Sequence, residues 1–257
     1  MILSKCRRAV ALAFTIFGRI LVGGLKRLRG PMTPVERALW LQRSARKVLA
    51  SAGIEWSVAG EPPTGGLVVS NHLSYLDVAA FAAAMPCVLV SKIEVSRWPV
   101  FGTTARLAGT MFIDRSSRAS AEAVALEIAG RLNRPVPILV FPEGTSTDGT
   151  EMLKFHSRLF EPVVAAGAPI TAASIGYAAE GGVPESELCW FGDEEFLPNL
   201  WRVLGVSGLA VQVVFGEPRV FPDRRTAARE TQAEVKAMRS IRQGAVHSEA
   251  DEMVTRP

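Results

Sequence analysis

Residues 67–77, LVVSNHLSYLD, set an asparagine, a histidine and an aspartate just beyond a run of aliphatic side chains. The run reads as a buried strand that delivers Asn71 and His72 to its carboxyl end, with Ser74 as N-cap of the helix that follows. Taken singly, Asp77 completes a capping box with Ser74, Asp standing for the usual Glu or Gln, and His72 is a hydrogen-bonded histidine at a strand end. Taken together they do more. On an uninterrupted helix the two side chains would point about 140° apart, but with His72 outside the helix and Asp77 in its first turn the carboxylate can reach back to the imidazole. Such an acid selects one tautomer, leaves the other ring nitrogen free to take a proton, and stabilises the imidazolium that forms. The pair is then a general-base dyad without a protein nucleophile of its own, suited to moving an acyl group onto a substrate hydroxyl.

Two other segments carry chemistry. In residues 138–146, ILVFPEGTS, an aliphatic run ends in a turn rich in backbone donors and hydroxyls. Glu143 is placed there to accept from a substrate hydroxyl, and Gly144 to let a ligand approach the backbone closely. In residues 109–118, GTMFIDRSSR, Arg115 and Arg118 follow a strand-like run, and guanidinium suits bidentate phosphate contact. The plainer alternatives are a tight strand-end turn and surface ion pairs. A serine hydrolase acting on lipids needs a Gly-x-Ser-x-Gly elbow; none is present, and Ser146 lies in Gly-Thr-Ser-Thr-Asp-Gly. A non-catalytic membrane-binding protein that keeps only the fold is the other competing class.

The elements that must position these groups alternate. Strands are expected at Leu67–Ser70, Val88–Ser91, Met111–Asp114, Pro137–Phe141, Ile170–Ile175 and Val211–Phe215, with helices near 75–84, 98–108 and 120–133. That alternation predicts an α/β fold with a largely parallel or mixed central sheet flanked by helices, in which reactive groups gather at the carboxyl ends of strands. Its span is read as residues 55–243, followed by a polar tail from 244 to 257.

The 257 residues, 48% apolar and 21% charged, suit one large domain or a domain with an appendage, and show no internal repeat. Cys6, Cys87 and Cys189 form neither a disulfide framework nor a zinc set, and fit a reducing, cytosol-facing location. The charge is lopsided: residues 1–47 hold 11 Lys/Arg and one acid, the remainder 18 and 24. A basic end interleaved with aliphatic residues suggests an anionic membrane surface rather than nucleic acid. Residues 9–25, flanked by cations, are short of the ~20 needed for a full span and contain Arg19. They are read as an uncleaved helix lying in or dipping into the interface, in preference to a signal peptide, a true span or a core helix. A second helix follows, with Thr33, Pro34 and Glu36 as its opening and Gly53 as its stop. Residues 1–54 thus form a two-helix membrane-docking module.

In this order, the three junctions resemble the glycerolipid (lysophospholipid) acyltransferases typified by the 1-acyl-glycerol-3-phosphate acyltransferases. Asn71, His72 and Asp77 match that family's Asn-His-x4-Asp block. Phe112-Ile113-Asp114-Arg115 matches its aliphatic strand leading into Asp-Arg, and Phe141 to Ser146 its Phe-Pro-Glu-Gly-Thr block without the spacer before serine. The resemblance covers roughly residues 55–220. It implies that His72 deprotonates the acceptor hydroxyl, Asp77 orients it, and Arg115 holds the acceptor phosphate. Asn71, Glu143, Gly144 and Thr145 would line the acceptor site, and Lys92 would bind donor or stabilise the oxyanion. It further implies an acyl-CoA or acyl carrier protein donor, membrane lipids as partners, no metal, no cofactor, and work at the cytoplasmic face of the cell membrane. The stretch Ala168-Pro169-Ile170 and the segment Lys154–Phe160 depart from the family pattern, which leaves the acceptor open between lysophosphatidic acid and another lysolipid such as lyso-ornithine lipid. The aromatic and acidic stretches at 189–193 and 196–198 read as a loop near the membrane or acyl channel.

Overall fold

The computed structural model describes residues 2–114 and 117–254. Helix α1 (Ile2–Leu28) and helix α2 (Pro34–Ala52) open the chain. The Thr33 hydroxyl accepts from the Glu36 N–H, Glu36 Oε2 accepts from the Thr33 N–H at 2.7 Å, and α2 stops at Gly53 in the left-handed region at φ 69°. Local sequence chemistry sets both ends of this helix.

Strands β1 (Glu55–Ala59), β2 (Leu67–Ser70), β3 (Val88–Lys92), β4 (Met111–Ile113), β5 (Ile138–Val140), β6 (Ile170–Ala178) and β7 (Ala210–Phe215) form one sheet, in the order β1-β7-β6-β2-β5-β3-β4. Neighbours are parallel except for the antiparallel β6–β7 pair, so the sheet is mixed but mostly parallel. Helices α3 (Tyr75–Ala84), α4 (Pro99–Ala108), α5 (Arg118–Arg131), α6 (Glu161–Ala165), α7 (Glu185–Leu188), α8 (Phe196–Val203) and α9 (Arg224–Val254) lie in the connections and after the last strand. Parallel neighbours need such crossovers.

Both faces of the sheet are buried, which is why its central strands are near-continuous aliphatic runs. Val68, Leu139 and Ile175 pack with Leu49 and Phe81 on one face. Leu67, Val69 and Ile138 pack with Ile128, Phe160 and Val235 on the other. Strand β1 escapes the sequence reading because Glu55-Trp56-Ser57-Val58-Ala59 alternates exposed and half-buried positions at a sheet edge, with no aliphatic run to mark it. Helix α9 is a second difference. Its buried Ala227, Ala228, Thr231 and Val235 recur at helical spacing, and the backbone helix runs on to Val254, through the segment read as a polar tail.

The first helix is two-sided. Ala9, Leu12, Ile16 and Ile20 pack into the core, and Arg8 donates to the carbonyls of Leu204 and Val206. Phe14 and Phe17, 74% and 69% exposed, stand with Val10, Leu21 and Leu25 on the outer side. At 27 residues α1 is long and apolar enough to cross a membrane by length and composition, yet one stripe of it is spent on the body of the protein.

Candidate active site

The pairing Val68–Leu139 aligns β2 and β5, so that His72 and the turn after β5 emerge side by side at the carboxyl edge of the sheet. Strands β3 and β4 end at the same edge, at Lys92 and just before Asp114. This is the general location of ligand sites in open α/β sheets.

Between β2 and α3 the chain turns at residues 71–74. The Ser74 hydroxyl accepts from the Leu76 N–H at 3.3 Å, and Asp77 completes the capping box. The same carboxylate also meets His72. Asp77 Oδ2 lies 2.7 Å from His72 Nδ1 and accepts from the N–H groups of Leu73 and Ser74 at 2.6 and 3.0 Å. Its other oxygen, Oδ1, accepts from the Tyr177 hydroxyl. The helix cap and the histidine partner, which stand as separate readings of the sequence, are one group. Asp77 is wholly buried while the His72 side chain keeps 22% of its exposure. An oxygen that collects N–H donors in this way takes the Nδ1 proton as well, which leaves Nε2 as the basic nitrogen.

The imidazole is held from three further directions. Its ring stacks on Phe141, with centroids 4.2 Å apart and planes 12° from parallel. Its backbone N–H donates to Glu143 Oε1 at 2.8 Å, and its carbonyl accepts from the Thr147 N–H at 3.0 Å. The turn that follows β5 therefore serves as the bracket for His72.

Beside the ring opens a cavity of about 780 Å³. Its walls include Leu41, Ala45 and Val48 of α2, Val78, Ala79 and Ala82 of α3, and Phe101 and Ala105 of α4. Ile16 and Arg19 of α1 also reach it, Arg19 donating from Nε to Ser44 Oγ at 2.9 Å. Polar groups collect near the strand ends: Lys92, Asp114, Thr145 and Ser146. Tyr75, Trp98, Phe101 and Trp190 form an aromatic wall, cross-braced by ring contacts to Phe196. A largely apolar cavity of this size, with an imidazole at its wall and polar groups in its lining, can hold an aliphatic chain and act on its reactive end.

The Acyltransferase family model matches residues 59–176, which contain all three junctions. The lyso-ornithine lipid O-acyltransferase of Pseudomonas aeruginosa is 35% identical over 80% of this chain and 80% of its own. The chain belongs to the lysophospholipid acyltransferase family. The 1-acyl-sn-glycerol-3-phosphate acyltransferase of Neisseria meningitidis serogroup B is 34% identical over 66% of this chain and 68% of its own. The crystal structure of the 1-acyl-sn-glycerophosphate acyltransferase from Thermotoga maritima superimposes with a TM-score of 0.65, covering 99% of both chains at 18% identity. At that identity the likeness speaks for the fold.

Within this acyltransferase the residues singled out from sequence separate into two groups. His72, Lys92, Gly144 and Thr145 line the cavity, and Asp77 stands directly behind His72. Gly144 has φ 82°, in the left-handed region where a side chain is strained, so glycine is needed to turn the wall there. Asn71 and Glu143 do not line the cavity. The Asn71 amide is spent on β6, its Nδ2 donating to the Ile175 carbonyl and its Oδ1 accepting from the Ile175 N–H, both at 3.0 Å. Glu143 is buried, and its second oxygen accepts from the Leu153 N–H at 2.7 Å. Burial raises its carboxyl above the ordinary value, opposed by the N–H groups of Leu153 and His72. In this structure Asn71 sews β2 to β6 and Glu143 braces the His72 backbone, where the sequence reading set both against substrate. Arg115 lies outside the described residues. Among the described residues no group of three or more His, Cys, Asp or Glu is placed to hold a metal ion. Tyr177 and the Phe141 stack were invisible in the sequence, since a tyrosine inside an aliphatic strand and a phenylalanine at a strand end look like core residues.

Proposed function

We propose that this acyltransferase moves a fatty acyl group from an acyl thioester, on coenzyme A or acyl carrier protein, to the free hydroxyl of 1-acyl-glycerol-3-phosphate, giving phosphatidic acid. The observation that carries the reading is the 2.7 Å contact of His72 Nδ1 with buried Asp77, on an imidazole that lines an apolar cavity. His72 Nε2 takes the proton of the acceptor hydroxyl as its oxygen attacks the thioester carbonyl. The tetrahedral intermediate collapses with loss of the thiolate, which recovers that proton from the imidazolium. Asp77 stabilises the imidazolium. A thioester is activated enough for direct attack, so neither an acyl-enzyme, a metal nor a cofactor is required. Lys92, on the cavity wall, is the candidate for donor binding or for the oxyanion, and Arg115 for the acceptor phosphate.

Lyso-ornithine lipid is the second reading of the acceptor. It is favoured by the longer alignment with the Pseudomonas aeruginosa relative and by Glu94 and Asp114 on the cavity wall, whose carboxylates suit an ammonium group. The reaction is placed at the cytoplasmic face of the cell membrane. The outer apolar side of α1 would lie in the acyl layer, and the exposed cations Arg7, Lys26, Arg27 and Arg29 against anionic headgroups.

The test is acyl transfer from both thioester carriers to both acceptors in membranes containing the protein. One acceptor is expected to be labelled, and His72→Ala is expected to lower the rate by about 10²–10⁴-fold with membrane binding unchanged. Failure to acylate either lipid, or full activity in the variant, would overturn the reading.

A further inference from the structure

The dyad has a third member in space. Tyr177 sits on β6, 100 residues beyond Asp77 in sequence, and its hydroxyl donates to Asp77 Oδ1, the oxygen that His72 does not use. Tyr177 is 3% exposed and Asp77 wholly buried, so no solvent competes for this bond. The tyrosine is itself clamped. Its backbone N–H donates to Glu185 Oε1 at 2.7 Å, and Glu185 Oε2 pairs at 2.7 Å with Arg239 of α9. Arg239 also donates to the carbonyls of Ile175 and Gly149, at 2.6 and 3.0 Å. The strand segment carrying Tyr177 is thus tied to α7, α9 and the loop after the third junction.

We propose that Tyr177 is a positioning residue for catalysis, holding the Asp77 carboxylate in the one orientation that faces Nδ1 of His72 and tempering its charge. The inference rests on the acyl-transfer reading above. With Oδ1 tethered, the carboxylate cannot rotate about its own axis. A hydroxyl donor also disperses its negative charge, which limits how strongly it draws a proton onto the imidazole. Burial and the neighbouring Asp77 both push the phenol well above its ordinary value, so Tyr177 stays a donor throughout the working range. The other ionisable groups around this unit are Glu143 beside His72, and Cys189 and Glu185 beside Tyr177. Across the cavity wall stand Lys92, Glu94, Asp114 and His156.

The test is Tyr177→Phe, which keeps the ring and removes the donor. The expected result is a fall in kcat of about tenfold, KM values for both substrates within about twofold of wild type, and an acid limb of the kcat/KM profile moved upward by about half a unit. In an Asp77→Asn background the same substitution is expected to change kcat by less than about threefold, because the two act through one contact. Wild-type kcat and acid limb in Tyr177→Phe would refute the proposal. So would a loss that simply multiplies with that of Asp77→Asn, which a purely structural role produces. Thermal melting of each variant separates misfolding from a catalytic effect. Should Tyr177→Phe melt, the same assays are run with 3-fluorotyrosine incorporated at position 177, which keeps the ring and hydroxyl and makes the O–H a stronger donor; the acid limb is expected to move downward, and an unmoved limb overturns the proposal. A wild-type protein inactive on both acceptors would instead sink the proposed function.

Discussion

Replacing Asp77 by Asn keeps the shape of the side chain and removes its charge. Four donors converge on the carboxylate: the N–H groups of Leu73 and Ser74, His72 Nδ1 and the Tyr177 hydroxyl. Three of them meet Oδ2, so the amide oxygen of Asn must take that place, leaving its NH2 toward Tyr177, whose hydroxyl can turn to accept. The helix cap and the histidine tautomer then survive. What is lost is the attraction between carboxylate and imidazolium as the proton moves. With the charges about 4 Å apart, an effective dielectric near 20 gives about 4 kcal/mol, and the partial exposure of the His72 ring halves it to about 2 kcal/mol. At about 1.4 kcal/mol per decade, kcat falls by roughly 30- to 1,000-fold. Release of free thiol from the acyl donor, followed continuously at saturating acceptor, reads this directly, and KM is expected to stay within about twofold. A variant with kcat within threefold of wild type would mean that Asp77 is only a helix cap, and the general-base account would fall.

The remaining expectations concern the brace and the membrane face. Glu143→Gln puts an NH2 against one of two backbone donors, costing about 1–3 kcal/mol in urea unfolding at pH 7. Because the carboxyl is raised in the folded state, its contribution to stability is fullest below its unfolded value of about 4.3 and is lost as the pH rises through the raised value. Unfolding measured from pH 4 upward should therefore show that slope in wild type and not in Glu143→Gln; identical slopes would refute the assignment. Phe14→Ser with Phe17→Ser, on the outward side of α1, is expected to weaken binding to anionic vesicles by more than about 100-fold in a flotation assay, each buried ring being worth about 1.5–3 kcal/mol. Melting temperature should not move, since neither ring packs inward, and undiminished flotation would refute the orientation proposed for α1.

Much of this protein is legible one residue at a time. The caps at Thr33 and Ser74 are local hydrogen bonds between residues three apart, and both form as their residue types require. Buried strands such as Leu67–Ser70 announce themselves because a strand covered on both faces has no polar positions to interrupt it. By the same logic β1 stays hidden: at a sheet edge only Trp56 and Val58 turn inward, and five residues are too short an alternation to stand out. The aspartate shows the limit of local reading: its spacing from Ser74 and from His72 allowed a cap or a catalytic partner, and nothing in the string said that one oxygen serves both.

The kind of chemistry was written in short motifs, and so was the pair proposed to carry it, because strand ends and helix starts are local structures and His72 and Asp77 belong to a single turn. The division of labour among the other polar residues came from strand order. Parallel pairing of β2 with β5 turned Glu143 onto the His72 backbone, pairing with β6 spent Asn71 on Ile175, and the same strand brought Tyr177 to Asp77. Those contacts join residues 71 to 104 positions apart, and a hydrogen bond across such a distance exists only once the sheet has chosen its neighbours.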